Sequence, residues 1–244
     1  MNLATWQVDP HQSIGQIAVS LPGATAIFRR LKLDFCCGGQ VPLNEAVAAK
    51  GLDLDAVVQA LSALERTDEP AAPTDPEALI AHILTRYHAV HREQLPELIA
   101  MARRVEAVHK GHPDVPAGLT YLLEDIAQYM DSHMAKEETV LFPLLTTGGH
   151  AMAGMPMKVM RMEHTDHGES LDRLLVLTND ATPPLGACNT WRALYAGIDR
   201  FRDDLISHIH LENNVLFPHF EHMPVAAPGG CGGAGGGCRC GGGA

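Results

Sequence analysis

Aromatic side chains are scarce, with Phe, Trp and Tyr together making up 5% of 244 residues. Basic charge is short too: 18 Lys and Arg face 29 Asp and Glu, for a formal net charge of −11. A surface with that balance sets up no field to attract a phosphate backbone, which excludes nucleic acid as a partner. No apolar run approaches the ~18 residues needed to cross a bilayer, so no membrane is expected. The stretch Met1 to Pro10 lacks the basic-then-apolar order of a secretory leader. The expected location is therefore cytoplasmic, with thiols reduced rather than paired in disulfides. Hairpin signals are missing as well. What the chain does have is a 46% hydrophobic share, enough for a real core, and 14 histidines.

Residues 1–66 read as a small helical domain. Ser13 opens an apolar-periodic segment, Pro22 suits a first helical turn, and Leu43 to Lys50 and Leu54 to Leu64 repeat the helical pattern. Between them lies the glycine-bearing loop Asp34-Phe35-Cys36-Cys37-Gly38-Gly39. Residues 67–74 form a polar, proline-bearing linker. A domain over 75–224 follows, starting at a strong helix signal: Asp75 as cap, Pro76 in the first turn and Glu77 at the positive end of the dipole. This helix is expected to run to about His109, kinked or divided at Pro96. Three more long helices are expected near 116–141, 156–178 and 187–216, so the fold class is all-α, an antiparallel four-helix bundle. Residues 225–244 form a tail. Its last sixteen residues hold ten glycines and three cysteines, Cys231, Cys238 and Cys240, and bury no core.

The bundle sequence repeats itself. Ser132 to Pro143 and Ser207 to Pro218 share seven of twelve residues at an offset of 75, and His88-x-x-His91-x-Glu93-x-Leu95 matches His164-x-x-His167-x-Glu169-x-Leu171 at an offset of 76. Each half is a helical hairpin with one histidine on its first helix and His-x3-Glu on its second. Residues four apart share a helix face, so His133 with Glu137, and His208 with Glu212, address one point in the bundle centre. His88 and His164 arrive from the other two helices. Four imidazoles and two carboxylates facing inward are very costly to bury without a cation. A dinuclear site with two histidines per metal and both glutamates bridging compensates them. Its mixed donors and open positions suit iron, with manganese or zinc as alternatives.

Other candidates carry plainer readings. His91 and His167 repeat as well but read as non-ligands, either donors behind the ligands or surface residues. His82, His109, His112, His150, His210, His219 and His222 lack complete equivalents and read as exposed. Met152, Met155, Met157, Met160 and Met162 read as core filling rather than a soft-metal site. Adjacent cysteines make no unstrained mutual disulfide, so Cys36 and Cys37 read as reactive or metal-handling thiols. Cys188 reads as an ordinary helix residue.

These features together resemble the Repair of Iron Centres (RIC, YtfE/ScdA) family of iron–sulfur cluster repair proteins, over nearly the whole chain to Pro224. The resemblance rests on the Asp34–Gly39 loop, on Arg86-Tyr87-His88 with His91 to Leu98, and on Ser132-His133 with Lys136-Glu137-Glu138. It rests also on Glu163-His164 and on His208 with Leu211 to Pro218. It implies a hemerythrin-like di-iron domain behind a ScdA-type N-terminal domain, with ligands at His88, His133, Glu137, His164, His208 and Glu212. The implied cofactor is two non-haem iron ions with an oxo or hydroxo bridge. Implied partners are iron–sulfur proteins damaged by nitrosative or oxidative stress, and nitric oxide or dioxygen as small ligands. A homodimer is the possible assembly. The cysteine-rich tail departs from the family pattern. The alternative function is a nitric oxide-binding or nitric oxide-reducing protein linked to denitrification. Whether the two metals turn over nitric oxide or peroxide stays open, as does thiol exchange at Cys36 and Cys37.

Overall fold

A computed structural model describes residues 8–64, 73, 75–148 and 150–221. The linker and tail expected over 67–74 and 225–244 lie, except for residue 73, outside the described residues. Among the described residues the structure is all helical, with one isolated bridge between Ser13 and Pro42. Helices α1 (Ile14–Ser20), α2 (Ala24–Arg30), α3 (Leu43–Ala49) and α4 (Leu54–Ser62) form the N-terminal part. Their starts follow local chemistry: Ser13 Oγ accepts from Gln16 N, and Asp53 Oδ1 accepts from Asp55 N and Ala56 N. Pro22 precedes α2 rather than entering it, because Gly23, at φ 86°, makes the turn.

Four long helices follow: α5 over 76–108, α6 over 119–146, α7 (Gly154–Leu177) and α8 over 189–221. Helix α5 packs on α6 and α8, and α7 packs on the same two, which closes a ring of four. Asp75 caps α5 as its sequence indicates, its Oδ2 accepting from Ala78 N. Pro96 neither ends nor divides the helix, which runs unbroken from Ala89 to Val108. The carbonyl that Pro96 deprives of a donor belongs to Arg92, an exposed residue of the helix.

Three helices instead widen into single π-turns, at Leu84–His88 in α5, Glu137–Leu141 in α6 and Glu212–Leu216 in α8. Each closes with an i→i−5 bond: Ala89 N to Leu84 O, Phe142 N to Glu137 O and Phe217 N to Glu212 O. In α6 and α8 the cause is legible. Pro143 and Pro218 have no N–H, and their rings press on the carbonyls four residues back, so the helix widens just ahead of each. No proline explains the turn in α5.

The bundle core falls into two apolar groups. One gathers Leu98, Leu123, Ile126, Trp191, Leu194 and Phe201; the other gathers Leu79, Ile83, Leu141, Phe142, Met157 and Phe217. The π-turns border the second group, to which they give Tyr87, Leu141 and Leu216, and the repeated histidines belong to neither group. Of the expected core methionines, Met157 and Met160 are buried, whereas Met152, Met155 and Met162 are exposed.

The N-terminal part has its own cluster of thirteen buried apolar residues around Ile14, Phe28, Phe35 and Leu61. At about 1.5–3 kcal/mol for each large side chain, so small a core is marginal alone. It docks on α8: Asn213 Nδ2 donates to Cys36 O (3.0 Å), Asn214 Nδ2 to Phe35 O (3.1 Å), and Arg29 Nη1 to Ser207 Oγ (3.3 Å). The approach is close enough to require glycine. A Cβ on Gly39 would lie 2.5 Å from Asn214 Oδ1 and 2.7 Å from Phe35 O. Gly39→Ala is therefore expected to cost about 1–3 kcal/mol, a fall of roughly 3–10 °C in melting temperature by circular dichroism. Gly111→Ala, where a Cβ meets nothing within 4 Å, should melt with the wild type.

Candidate metal centre

One residue pair or single histidine from each long helix meets in the layer between the apolar groups. His88 closes the π-turn of α5, and His133 with Glu137 comes from α6. His164 comes from α7, and His208 with Glu212 from α8. All six are at most 2% exposed. Their donor atoms fall into two groups, His88–Glu137–His208–Glu212 and His133–Glu137–His164–Glu212, with all atoms in each group within 4.8 Å of one another.

Both glutamates belong to both groups, and each divides its oxygens between them. Glu137 sets Oε2 3.3 Å from His88 Nε2 and Oε1 3.4 Å from His133 Nε2. Glu212 sets Oε1 3.2 Å from His208 Nε2 and Oε2 3.0 Å from His164 Nε2. Within each group the histidine Nε2 atoms approach to 3.2 Å. Donors about 2.1 Å from one cation at right angles lie about 3 Å apart, so these spacings suit ligands around two points.

The imidazole tautomers follow from the far side of each ring. His88 Nδ1 lies 2.8 Å from Glu138 Oε1, His133 Nδ1 2.9 Å from Glu163 Oε2, and His164 Nδ1 2.9 Å from Asn213 Oδ1. These oxygens accept, so each Nδ1 donates and each Nε2 turns a lone pair inward. Arg92 Nη1 holds Glu138 at 2.8 Å and Lys136 Nζ holds Glu163 at 2.5 Å. The bond to His133 leads in drawing the Glu163 carboxyl down to about 2. His208 differs: its Nδ1 is buried without a partner, and its ring stacks on Tyr87 at 5.4 Å.

Among the described residues, both oxygens of Glu137 and Oε2 of Glu212 have no hydrogen-bond donor. Buried carboxylate oxygens and imidazole lone pairs converging without donors are costly, and a cation offsets both. Without one the pocket recruits protons. Burial opposes a charged His133, yet Glu137 and Glu163 raise it to about 10. The donor set therefore fits metal.

His91 and His167 are buried rather than at the surface, and burial leads in lowering them to about 2 and about 3. Neither belongs to the two donor groups. His91 lies edge-on to Phe201 at 5.5 Å, and His167 edge-on to His133 at 4.9 Å. His210, expected exposed, is buried against Phe35 at 5.1 Å, with its Nδ1 3.1 Å from Asn214 Nδ2. His109 and His112 are half-buried around Trp191, His82 is half-buried against Tyr87, and His219 is exposed. The placements of the His150 side chain and of His222 lie outside what is described. Cys188 stands at the N-cap of α8, its Sγ 3.2 Å from His109 Nε2.

Glu138, Asn213 and Glu163 hold the imidazoles from behind and lie outside the six residues expected from the repeat. Glu138 and Asn213 follow Glu137 and Glu212 at the repeat offset, which is a usable signal. Glu163 has Tyr87 as its counterpart, so the repeat could not reveal it.

Comparison with known proteins agrees with this geometry. Residues 79–220 match the Hemerythrin HHE cation binding domain, and residues 10–65 match ScdA_N, a domain of unknown function. The probable iron–sulfur cluster repair protein of Haemophilus influenzae is 47% identical over 212 residues, 85% of this chain and 95% of that protein. The iron–sulfur cluster repair proteins YtfE of Edwardsiella ictaluri and Dickeya chrysanthemi are 50% and 49% identical, covering 84% and 85% of this chain and 94% and 95% of theirs. With one helical layer carrying the buried His/Glu groups and both matched regions in the same order, the chain belongs to the YtfE family of iron–sulfur cluster repair proteins, which joins a ScdA_N domain to a hemerythrin HHE cation-binding domain.

Proposed function

We propose that the centre holds two iron ions and that the protein repairs iron–sulfur clusters damaged by nitrosative or oxidative stress, by donating iron, handling nitric oxide, or both. On this reading His88 and His208 hold one iron, His133 and His164 the other, and Glu137 and Glu212 bridge them. The observation that carries it is the division of each glutamate's two oxygens between the two histidine pairs. Imidazole and carboxylate donors suit iron. Bound there, the two ions supply redox chemistry and Lewis acidity.

The chain's own groups set the terms of that chemistry. Glu138, Glu163 and Asn213 hold three imidazoles in the tautomer that faces a cation. His91 and His167 add neutral, apolar-behaving rings that keep water away. Two nitrogens and two oxygens per ion leave positions for a small ligand, which supports nitric oxide or dioxygen as what the centre meets. That same feature favours the second reading, a protein that binds or reduces nitric oxide. We further propose that residues 1–66 and 75–224 act as two domains, with Cys36 and Cys37 handling exchange between the centre and a client.

Glu137→Leu or Glu212→Leu removes a shared ligand and should leave well under one iron per chain by elemental analysis, against two in the wild type. His91→Leu replaces two orphaned buried nitrogens with an apolar group of similar size, which is neutral or stabilising. It should keep both irons and melt no lower than the wild type; loss of iron in this variant would place His91 among the ligands.

The functional reading is tested by incubating iron-loaded protein with an iron–sulfur enzyme whose cluster has been destroyed by nitric oxide. Cluster absorption should return with the wild type and not with Glu137→Leu. Equal recovery with both proteins would sink the repair reading. Adding nitric oxide anaerobically to the reduced protein separates the alternatives: nitrous oxide means turnover, and a stable nitrosyl spectrum means binding.

A further inference from the structure

The loop Asp34–Gly38 is folded around one carboxylate. Asp34 Oδ1 accepts from Cys37 N (2.9 Å) and from the Cys36 thiol (3.3 Å), and Oδ2 accepts from Gly38 N (3.0 Å). The two sulfurs are 3.7 Å apart, and one oxygen of Asp34 and both sulfurs lie within 4.8 Å of one another. A tetrahedral cation with sulfur about 2.3 Å away and oxygen about 2.1 Å away has a sulfur–sulfur edge of about 3.8 Å and a sulfur–oxygen edge of about 3.5 Å. The loop presents those edges at 3.7 and 3.3 Å.

The donors are held from outside the loop as well. Cys36 O takes Asn213 Nδ2 at 3.0 Å and Asn214 Nδ2 at 3.4 Å, so its backbone is fixed to α8. Cys36 is buried and Cys37 half-buried, and with Asp34 they line a cavity of about 670 Å3 between the N-terminal helices, α7 and α8. Opposite Cys37 stands Gly168, where an added Cβ would already touch Cys37 Sγ at 4.0 Å. The missing side chain leaves the sulfur room on the cavity side.

We propose that Asp34, Cys36 and Cys37 form a second metal site, taking one thiophilic divalent cation through two thiolates and a carboxylate, with its fourth position open to the cavity. Binding is balanced by two protons: the cation displaces the thiol protons of Cys36 and Cys37 and takes the place of the S–H in the Cys36–Asp34 contact. Zinc(II), cobalt(II) and iron(II) belong to the class that accepts this donor set. The site is separate from the buried centre but adjoins it, since Cys37 Sγ lies 3.5 Å from His164 O. Its existence does not depend on the repair reading; only its use for iron in transit would.

The test titrates full-length, iron-loaded protein with cobalt(II), anaerobically and with thiols reduced. One further cobalt per chain should bind, with sulfur-to-cobalt charge-transfer absorption in the near ultraviolet and tetrahedral bands in the visible. Cys37→Ser should weaken this binding at least ~tenfold while the bundle iron and the melting curve stay unchanged, and Asp34→Asn should weaken it similarly. Serine at Cys188, or at Cys231, Cys238 and Cys240 together, should leave the spectrum as it was. The proposal fails if no charge-transfer band develops, if the band survives Cys37→Ser, or if it disappears with the tail cysteines. Should Asp34→Asn unfold the loop, Cys37→Ser at the half-exposed thiol still decides.

Discussion

Two buried carboxylates govern this molecule, three of whose four oxygens have no hydrogen-bond donor among the described residues. Glu137 and Glu212 lie at the centre of the bundle, fully removed from water, each facing two imidazoles. An isolated buried carboxylate costs far more than a domain's whole stability margin, so the layer exists only in company with positive charge. Everything around it serves that need. Apolar groups pack around the layer, the π-turns carry His88, Glu137 and Glu212, and acceptors behind His88, His133 and His164 leave their Nε2 atoms without protons. The widened turns coincide with functional side chains in all three helices, as π-bulges often do. In α6 and α8 the same Leu-Phe-Pro sequence produces both the turn and the glutamate's position six residues before the proline.

The two halves of the centre are not equivalent, although the sequence repeat suggests that they should be. His133 and His164 both have acceptors behind them, an anionic Glu163 and a neutral Asn213. On the other side only His88 has one, Glu138, while His208 has a stacked Tyr87 and an unpartnered Nδ1. Acceptors behind a ligand commonly change metal affinity ten- to a hundredfold. Two exchanges across the sequence repeat, Glu163 for Tyr87 and Asn213 for Glu138, therefore leave the two histidine pairs with different groups behind them.

The six central residues and the helical bundle were legible because the chain states them twice. A His-x3-Glu pair is weak alone, but its recurrence at a constant offset, with a matched histidine ahead of each copy, isolates the set. What was illegible follows the places where repetition or residue type misleads. Glu163 has no acidic counterpart. His210 aligns with Ala135, so nothing marked it, and its polarity suggested a surface that Phe35 in fact covers. His91 and His167 are repeated but buried as neutral rings, a state that hydropathy does not encode. Pro96 leaves its helix unbroken at a carbonyl that belongs to exposed Arg92, whereas Pro143 and Pro218 stand just after π-turns that carry buried residues.

The contact between the N-terminal part and the bundle joins the thiol loop to the buried layer at two places, Cys37 Sγ against His164 O and the amide of Asn213. Cys36 O can only accept, which fixes Asn213 with Nδ2 toward the loop and Oδ1 toward His164 Nδ1. That orientation makes Nδ1 the donor and leaves the His164 Nε2 lone pair facing Glu212. Gly15 and Gly39 hold the loop close enough for this linkage, since a Cβ on either would lie within 2.6 Å of Asn214 Oδ1. The N-terminal domain is thereby more than a cover for the cavity. Its position on α8 fixes, through the Asn213 amide, the tautomer of one imidazole of the buried layer.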